Sequence, residues 1–212
     1  MVFAFGCISF LFATTFPPQA QDRPVRLVVL GDSLSAGLGL SGTEAFPAKL
    51  ARALKARGLE VDVINAGVSG DTASGGLARL DWSVPEGTDA VIVQLGANDA
   101  LRGVDPKITR GALEQILRRL KERGIEVLLA GMLAPRNLGN DFTRRFDSIY
   151  PELAEKYDAM LYPFFLDGVA TLARLNQRDG VHPNAEGVDI IVRGILPQVE
   201  ELLTRVRTKS RA

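Results

Sequence analysis

The chain contains one histidine, His182, so an imidazole base has a single candidate. Asp179 stands three residues before it, a spacing from which a carboxylate on a turn can reach the ring and fix its tautomer. Far away in the sequence lies Gly31-Asp32-Ser33-Leu34-Ser35-Ala36-Gly37. A serine hydroxyl is a weak nucleophile until a base takes its proton, and His182 can be that base for Ser33. The result is a Ser-His-Asp arrangement assembled from the two ends of the chain. Acyl transfer also needs donors aimed at an oxyanion. The Ser33 backbone N–H is free if the serine opens a helix. Gly70, in Asn65-Ala66-Gly67-Val68-Ser69-Gly70-Asp71-Thr72, can bring its amide close because it has no side chain. Asn98, in Gly96-Ala97-Asn98-Asp99, offers a side-chain amide. Asp32 and Asp99 read as loop hydrogen-bonding carboxylates rather than acid–base groups.

Taken singly, each segment has an ordinary reading. Gly-Asp-Ser after a strand is a turn with a helix cap, Asn-Asp and Asp-Gly are common turn pairs, and a histidine before a proline is a surface loop residue. Their joint occurrence in this order is what points to chemistry. The G-x-S-x-G elbow is absent around Ser33, and neither a P-loop nor a dinucleotide G-x-G-x-x-G follows the first strand. No cofactor is implied. With one histidine and a single cysteine, Cys7, a zinc site is not expected.

These loops need elements to carry them. Val25–Leu30 (VRLVVL), Val61–Asn65 (VDVIN), Ala90–Leu95 (AVIVQL) and Ile125–Ala130 (IEVLLA) are short β-branched runs that read as buried strands, with a fifth near 159–164. Helical spacing covers Glu44–Arg57, about 71–81, a segment near 142–157, and Ala185 to Val206. The clearest helix starts at Asp105-Pro106, carries Ile108, Ala112, Leu113, Ile116, Leu117 and Leu120 as its apolar stripe, and stops at Gly124. Alternating strands and helices predict an α/β fold: a parallel sheet with helices on both faces, in flavodoxin-like order. Ligands of such sheets bind beyond the carboxyl ends of the strands, where all four polar loops emerge. The expectation is one domain over 21–212.

GDSLSAG (31–37), NAGVSGDT (65–72), GAND (96–99) and DGVHPN (179–184) resemble the four sequence blocks of the SGNH, or GDSL, hydrolase superfamily. The similarity spans most of 26–200 and is nearest to a bacterial branch described as arylesterase, lysophospholipase and acyl-CoA thioesterase, which also carries stretches like GLARL (76–80) and LRG (101–103). The resemblance implies Ser33 as nucleophile, Asp179 and His182 completing the triad, and Gly70 and Asn98 in the oxyanion hole. It further implies a three-layer α/β/α sandwich with a five-stranded sheet and a periplasmic location. The chain departs from the pattern in glycine-rich Gly39–Thr43 and in Arg136 after the fourth strand, both of which bear on substrate preference.

Equal numbers of basic and acidic residues, 25 each, give no sign of a nucleic-acid partner or an anionic membrane. Met1 to Phe16 is almost wholly apolar and no charge precedes Asp22, which reads as a signal peptide ending near Ala20, too short for a membrane span. It lacks a basic start, so an uncleaved anchor stays open, and a lipoprotein role for Cys7 is disfavoured. The expected substrate is a small acyl ester or thioester. Leu38, Leu40, Met132, Leu133, Leu138 and Phe142 on two loops are candidates to line its groove, with Arg136 at the rim. The alternatives are a carbohydrate O-acetyl esterase, an acyltransferase of the same superfamily, or a non-catalytic periplasmic binding protein.

Overall fold

Seven residues, Val25–Gly31, form β1, with Leu27, Val28, Val29 and Leu30 all fully buried. Burial on both faces is what a parallel sheet imposes on its inner strands, and it accounts for the unbroken apolar run. The computed structural model describes residues 23–209; the expected signal segment 1–20 and Cys7 lie outside the described residues. β2 (Val61–Gly67) pairs on one side of β1 and β3 (Ala90–Gln94) on the other, followed outward by β4 (Glu126–Ala130) and β5 (Met160–Tyr162). All pairs are parallel and the order is β2-β1-β3-β4-β5, the expected doubly wound arrangement. Edge strand β2 is only partly buried, and its pattern alternates accordingly.

The helices, in chain order, are α1 (Ser33–Ala36), α2 (Phe46–Ala56), α3 (Ala73–Ala78), α4 (Leu80–Ser83), α5 (Ala97–Leu101), α6 (Pro106–Glu122), α7 (Asn140–Asp147), α8 (Ile149–Tyr157) and α9 (Ala185–Lys209). α2 and α9 pack together over one face of the sheet, and α3, α6 and α8 over the other. Sheet and helices thus make three layers. In α6 the Asp105 carboxylate caps the Lys107 amide at 3.0 Å and Pro106 occupies the first turn. Ala112, Leu113, Ile116, Leu117 and Leu120 are buried, whereas Ile108 stays exposed in the first turn. Truncating any of the leucines to alanine would cost about 2–5 kcal/mol. Gly124, at φ +70°, turns the chain out of the helix into β4.

Two expected helices are each divided. The segment 71–81 breaks at Arg79, whose side chain turns inward. The segment near 142–157 breaks at Ser148, because Pro151 has no N–H to give to the Asp147 carbonyl one turn back. α1 supplies the helix start expected at Ser33, whereas short α5, after β3, has no mark in the sequence pattern. Among the described residues no helix is long and apolar enough to cross a membrane.

Candidate active site

Ser33 is the first residue of α1, directly after β1. The turn is tight: a side-chain carbon on Gly31 would come within 2.3 Å of Ser35 Oγ, so glycine is required there. Asp32 caps the helix, its carboxylate accepting from the Leu34 amide at 3.0 Å. The carboxylate is fully buried, and burial pushes its pKa up to about 6, against the opposing pull of the Leu34 amide.

The loop before α9 brings the histidine to this turn. Ser33 Oγ lies 2.9 Å from His182 Nε2, and His182 Nδ1 lies 2.7 Å from Asp179 Oδ2. The other Asp179 oxygen accepts from the backbone amides of His182 at 3.0 Å and Val181 at 2.9 Å. Those two amides, together with the imidazole, hold the Asp179 carboxyl down at about 2. An ionised Asp179 can only accept, so Nδ1 carries the ring proton and Nε2 is free to take one from the serine. The loop is anchored as well: the Gln177 amide donates to the His182 carbonyl at 2.7 Å, and Asn176 forms an antiparallel bridge with Pro183.

Asn98 is the second residue of α5, which follows β3, and Gly70 sits on the loop after β2. Asn98 Nδ2 donates to the Asp71 carbonyl at 2.9 Å and stands 3.5 Å from Asp32 Oδ2, at the outer limit of a hydrogen bond. Gly70 has φ +87°, a conformation glycine adopts at little cost. Asp99 is buried, accepting from the Ala73 amide at 2.9 Å and the Thr109 hydroxyl at 3.0 Å, so it joins α3, α5 and α6.

Beneath these loops lies a residue that the sequence reading passed over. Arg79 is buried and donates to Asp71 Oδ2 at 2.5 Å and to the carbonyls of Ala66 at 2.7 Å and Gly31 at 2.8 Å. One guanidinium therefore ties the ends of β1 and β2 to the Gly70 loop. The only signal for it was the GLARL stretch.

Ser33, Asn98 and His182 open onto one cleft of about 620 Å³. Gly70 does not line it and is joined to it through Asp71, whose carbonyl holds Asn98. Of the apolar candidates, Met132 and Leu133 line the cleft, as does Arg136. Leu38, Leu40, Leu138 and Phe142 do not. Leu40 packs against the core, and Phe142 stacks on Phe146 with ring centres 6.1 Å apart. Arg136 is not a free cation, since Asp147 engages it at 2.7 Å. Much of the remaining wall comes from the segment after β5, including Phe164, Leu166 and Thr171, the last a β-branched residue held at φ +67°. That segment carries no motif. Among the described residues no group of three or more His, Cys, Asp or Glu is placed to hold a metal ion.

Comparison with known proteins fits this geometry. Residues 29–190 match the model of the GDSL-like Lipase/Acylhydrolase family. The chain is 38% identical over 195 residues to thioesterase 1/protease 1/lysophospholipase L1 of Escherichia coli (strain K12), covering 92% of this chain and 91% of that protein. It is 41% identical over 168 residues to an arylesterase of Vibrio mimicus, covering 79% and 84%. Among solved structures, AlinE4, an SGNH-hydrolase family esterase, superposes with a TM-score of 0.72 at 48% identity, over 85% of this chain and 97% of that one.

Proposed function

The chain belongs to the GDSL-like lipase/acylhydrolase family and is a serine hydrolase acting on ester bonds, and on that premise we propose that Ser33 is its nucleophile, His182 its base and Asp179 the group that orients the base. The observation that carries the assignment is the unbroken line from Ser33 Oγ through His182 to Asp179, with links of 2.9 and 2.7 Å, whose Ser33 and His182 open onto the cleft.

Ser33 Oγ attacks the carbonyl carbon as its proton passes to His182 Nε2. The Ser33 amide and the Asn98 side chain border the cleft where the oxyanion forms, and the Gly70 amide, reached through Asp71, is the third proposed donor. The C–O or C–S bond then breaks, and His182 returns the proton to the departing alkoxide or thiolate. Water attacks the acyl-Ser33 ester, again giving its proton to His182, and the carboxylic acid leaves with Ser33 restored.

The substrate class is a small acyl ester or thioester with an apolar acyl or aryl group, because the side chains of Met132, Leu133, Phe164 and Leu166 border the path to Ser33. Purified protein and Ser33→Ala assayed on p-nitrophenyl esters from acetate to palmitate test the reading. Ser33→Ala with native turnover sinks it, and activity confined to acetylated sugars replaces it with a carbohydrate O-acetyl esterase. The apolar segment ending at Ala20 supports a mature enzyme of one domain, beginning near Gln21 and working outside the cytoplasm. Mass measurement of protein from fractionated native cells decides this; a full-length cytosolic species argues against it.

A further inference from the structure

Asn98 lies in the first turn of α5 and Arg102 caps its C-terminal end four residues on, so their side chains leave the same face of the short helix. They grip two consecutive carbonyls of the facing loop. Arg102 Nη2 donates to the Gly70 carbonyl at 3.0 Å, and Asn98 Nδ2 to the Asp71 carbonyl at 2.9 Å. Buried Arg79 holds the Asp71 carboxylate from below. Asp71 is thus fixed from two directions. Gly70 itself is exposed, has a left-handed backbone and carries no side chain of its own to pack. A glycine in that state has the greatest backbone freedom of any residue. Its carbonyl is the handle by which it can be held.

We propose that Arg102 is a positioning residue for the oxyanion hole: by fixing the Gly70–Asp71 peptide plane it narrows ψ at Gly70, one of the two torsions through which the adjoining Ser69–Gly70 plane, the bearer of the Gly70 N–H, can swing. The proposal rests on the reading of Ser33 and Gly70 given above. An oxyanion donor is effective only when it needs no reorientation as charge develops. The Arg102–Gly70 bond, charge-assisted on the donor side, adds to the Asp71 N–H bond to the Val68 carbonyl at 3.2 Å, which closes the turn around Gly70. Because Asn98 belongs to the same grip, one short helix both carries one proposed donor and holds the loop of the other. Arg102 is itself exposed, so it acts on the geometry of catalysis much more than on folding.

The test uses Arg102→Ala and Arg102→Lys in the intact enzyme, with p-nitrophenyl butyrate as substrate and a boronic acid, tetrahedral once it has added the Ser33 oxygen, as transition-state mimic. Loss of a direct oxyanion donor costs about 10²–10³-fold, so an effect relayed through one bond should be about 10-fold on kcat. KM should stay within about two-fold, because a ground-state ester makes little use of the hole. The boronic acid should bind more weakly by the same factor as kcat falls. Arg102→Lys should recover part of the loss, guanidinium salt should restore Arg102→Ala but not the unsubstituted enzyme, and thermal stability should hardly move. Unchanged kcat in Arg102→Ala overturns the proposal, as does a loss that tracks a fall in thermal stability without rescue by guanidinium. Labelling by diethyl p-nitrophenyl phosphate, mapped by mass spectrometry, keeps the two readings apart. Label on Ser33 with fully active Arg102→Ala defeats only the Arg102 proposal, whereas an unlabelled Ser33 and an active Ser33→Ala defeat the active-site assignment on which it rests.

Discussion

Gln177 joins the loop of His182 to the loop that follows Ser33: its Nε2 donates to the Leu38 carbonyl at 2.7 Å and to the Pro183 carbonyl at 3.0 Å. A side-chain carbon on Gly39 would fall 2.1 Å from Gln177 Oε1, so the fit leaves no slack. Gln177→Ala gives up two hydrogen bonds worth about 1 kcal/mol each and should lower Tm by a few degrees while reducing kcat several-fold. Gln177→Glu keeps the shape but turns a double donor into an acceptor facing two carbonyls. It should be the worse substitution by both measures, and a Glu variant matching the unsubstituted enzyme would refute this role.

His182→Ala and Ser33→Ala should each lower kcat by up to about 10⁶-fold, since members of a triad act as a unit. Asp179→Asn, which permits the wrong ring tautomer, should cost about 10⁴-fold. Asp179 is held at about 2 and remains ionised throughout the working range. The acid side of the activity profile therefore carries one limb, that of the imidazole that must be neutral to accept a proton. A second limb between pH 3 and 5, measured while the protein stays folded, would contradict the assignment.

Asp32 makes an opposite prediction for stability. Its carboxyl titrates at about 6 in the fold against 3.8 in a model peptide, because burial disfavours the charge. Between those values the folded chain holds a proton that the unfolded chain has lost, so this group favours folding fully below about 3.8 and progressively less as pH rises through 6. The linkage amounts to about 3 kcal/mol at most. Asp32→Asn, still able to cap Leu34, should therefore gain stability relative to the unsubstituted protein on going from pH 4 to pH 7. Denaturant unfolding at both values checks this; a constant difference would show that Asp32 is not linked to folding.

The cleft predicts the ranking of esters. Each methylene buried among Met132, Leu133, Phe164 and Leu166 is worth about 0.8 kcal/mol, or about four-fold in kcat/KM. The ratio should rise from acetate to butyrate or hexanoate, and Phe164→Ala should flatten the rise. Kinetics on the homologous ester series will show whether it does; a slope unchanged by Phe164→Ala would place the acyl chain elsewhere.

What was legible from residue types was the frame and the groups at strand ends. The strand runs, the capped helix from Pro106 and the loops bearing Ser33, Gly70, Asn98 and His182 all announce themselves through local preference and short-range chemistry. The cleft wall does not. Phe164 and Leu166 look like any core residues, and only the tertiary fold brings their segment beside Ser33. Leu40 and Phe142 were misjudged as groove residues for the same reason, because an apolar residue on a loop is as readily turned into the core as toward a ligand. Arg79 and Arg102 were hidden differently. A cation in sequence reads as surface, and only coordinates reveal which carbonyls it satisfies.

Ser33 and His182 are 149 positions apart in the chain. On the proposed assignment, a nascent chain cut short between the two has a serine with nothing to deprotonate it. Hydrolysis would begin only when the segment carrying His182 has emerged and docked beside β1. Turnover would then read out whether the chain has been made and folded as far as His182.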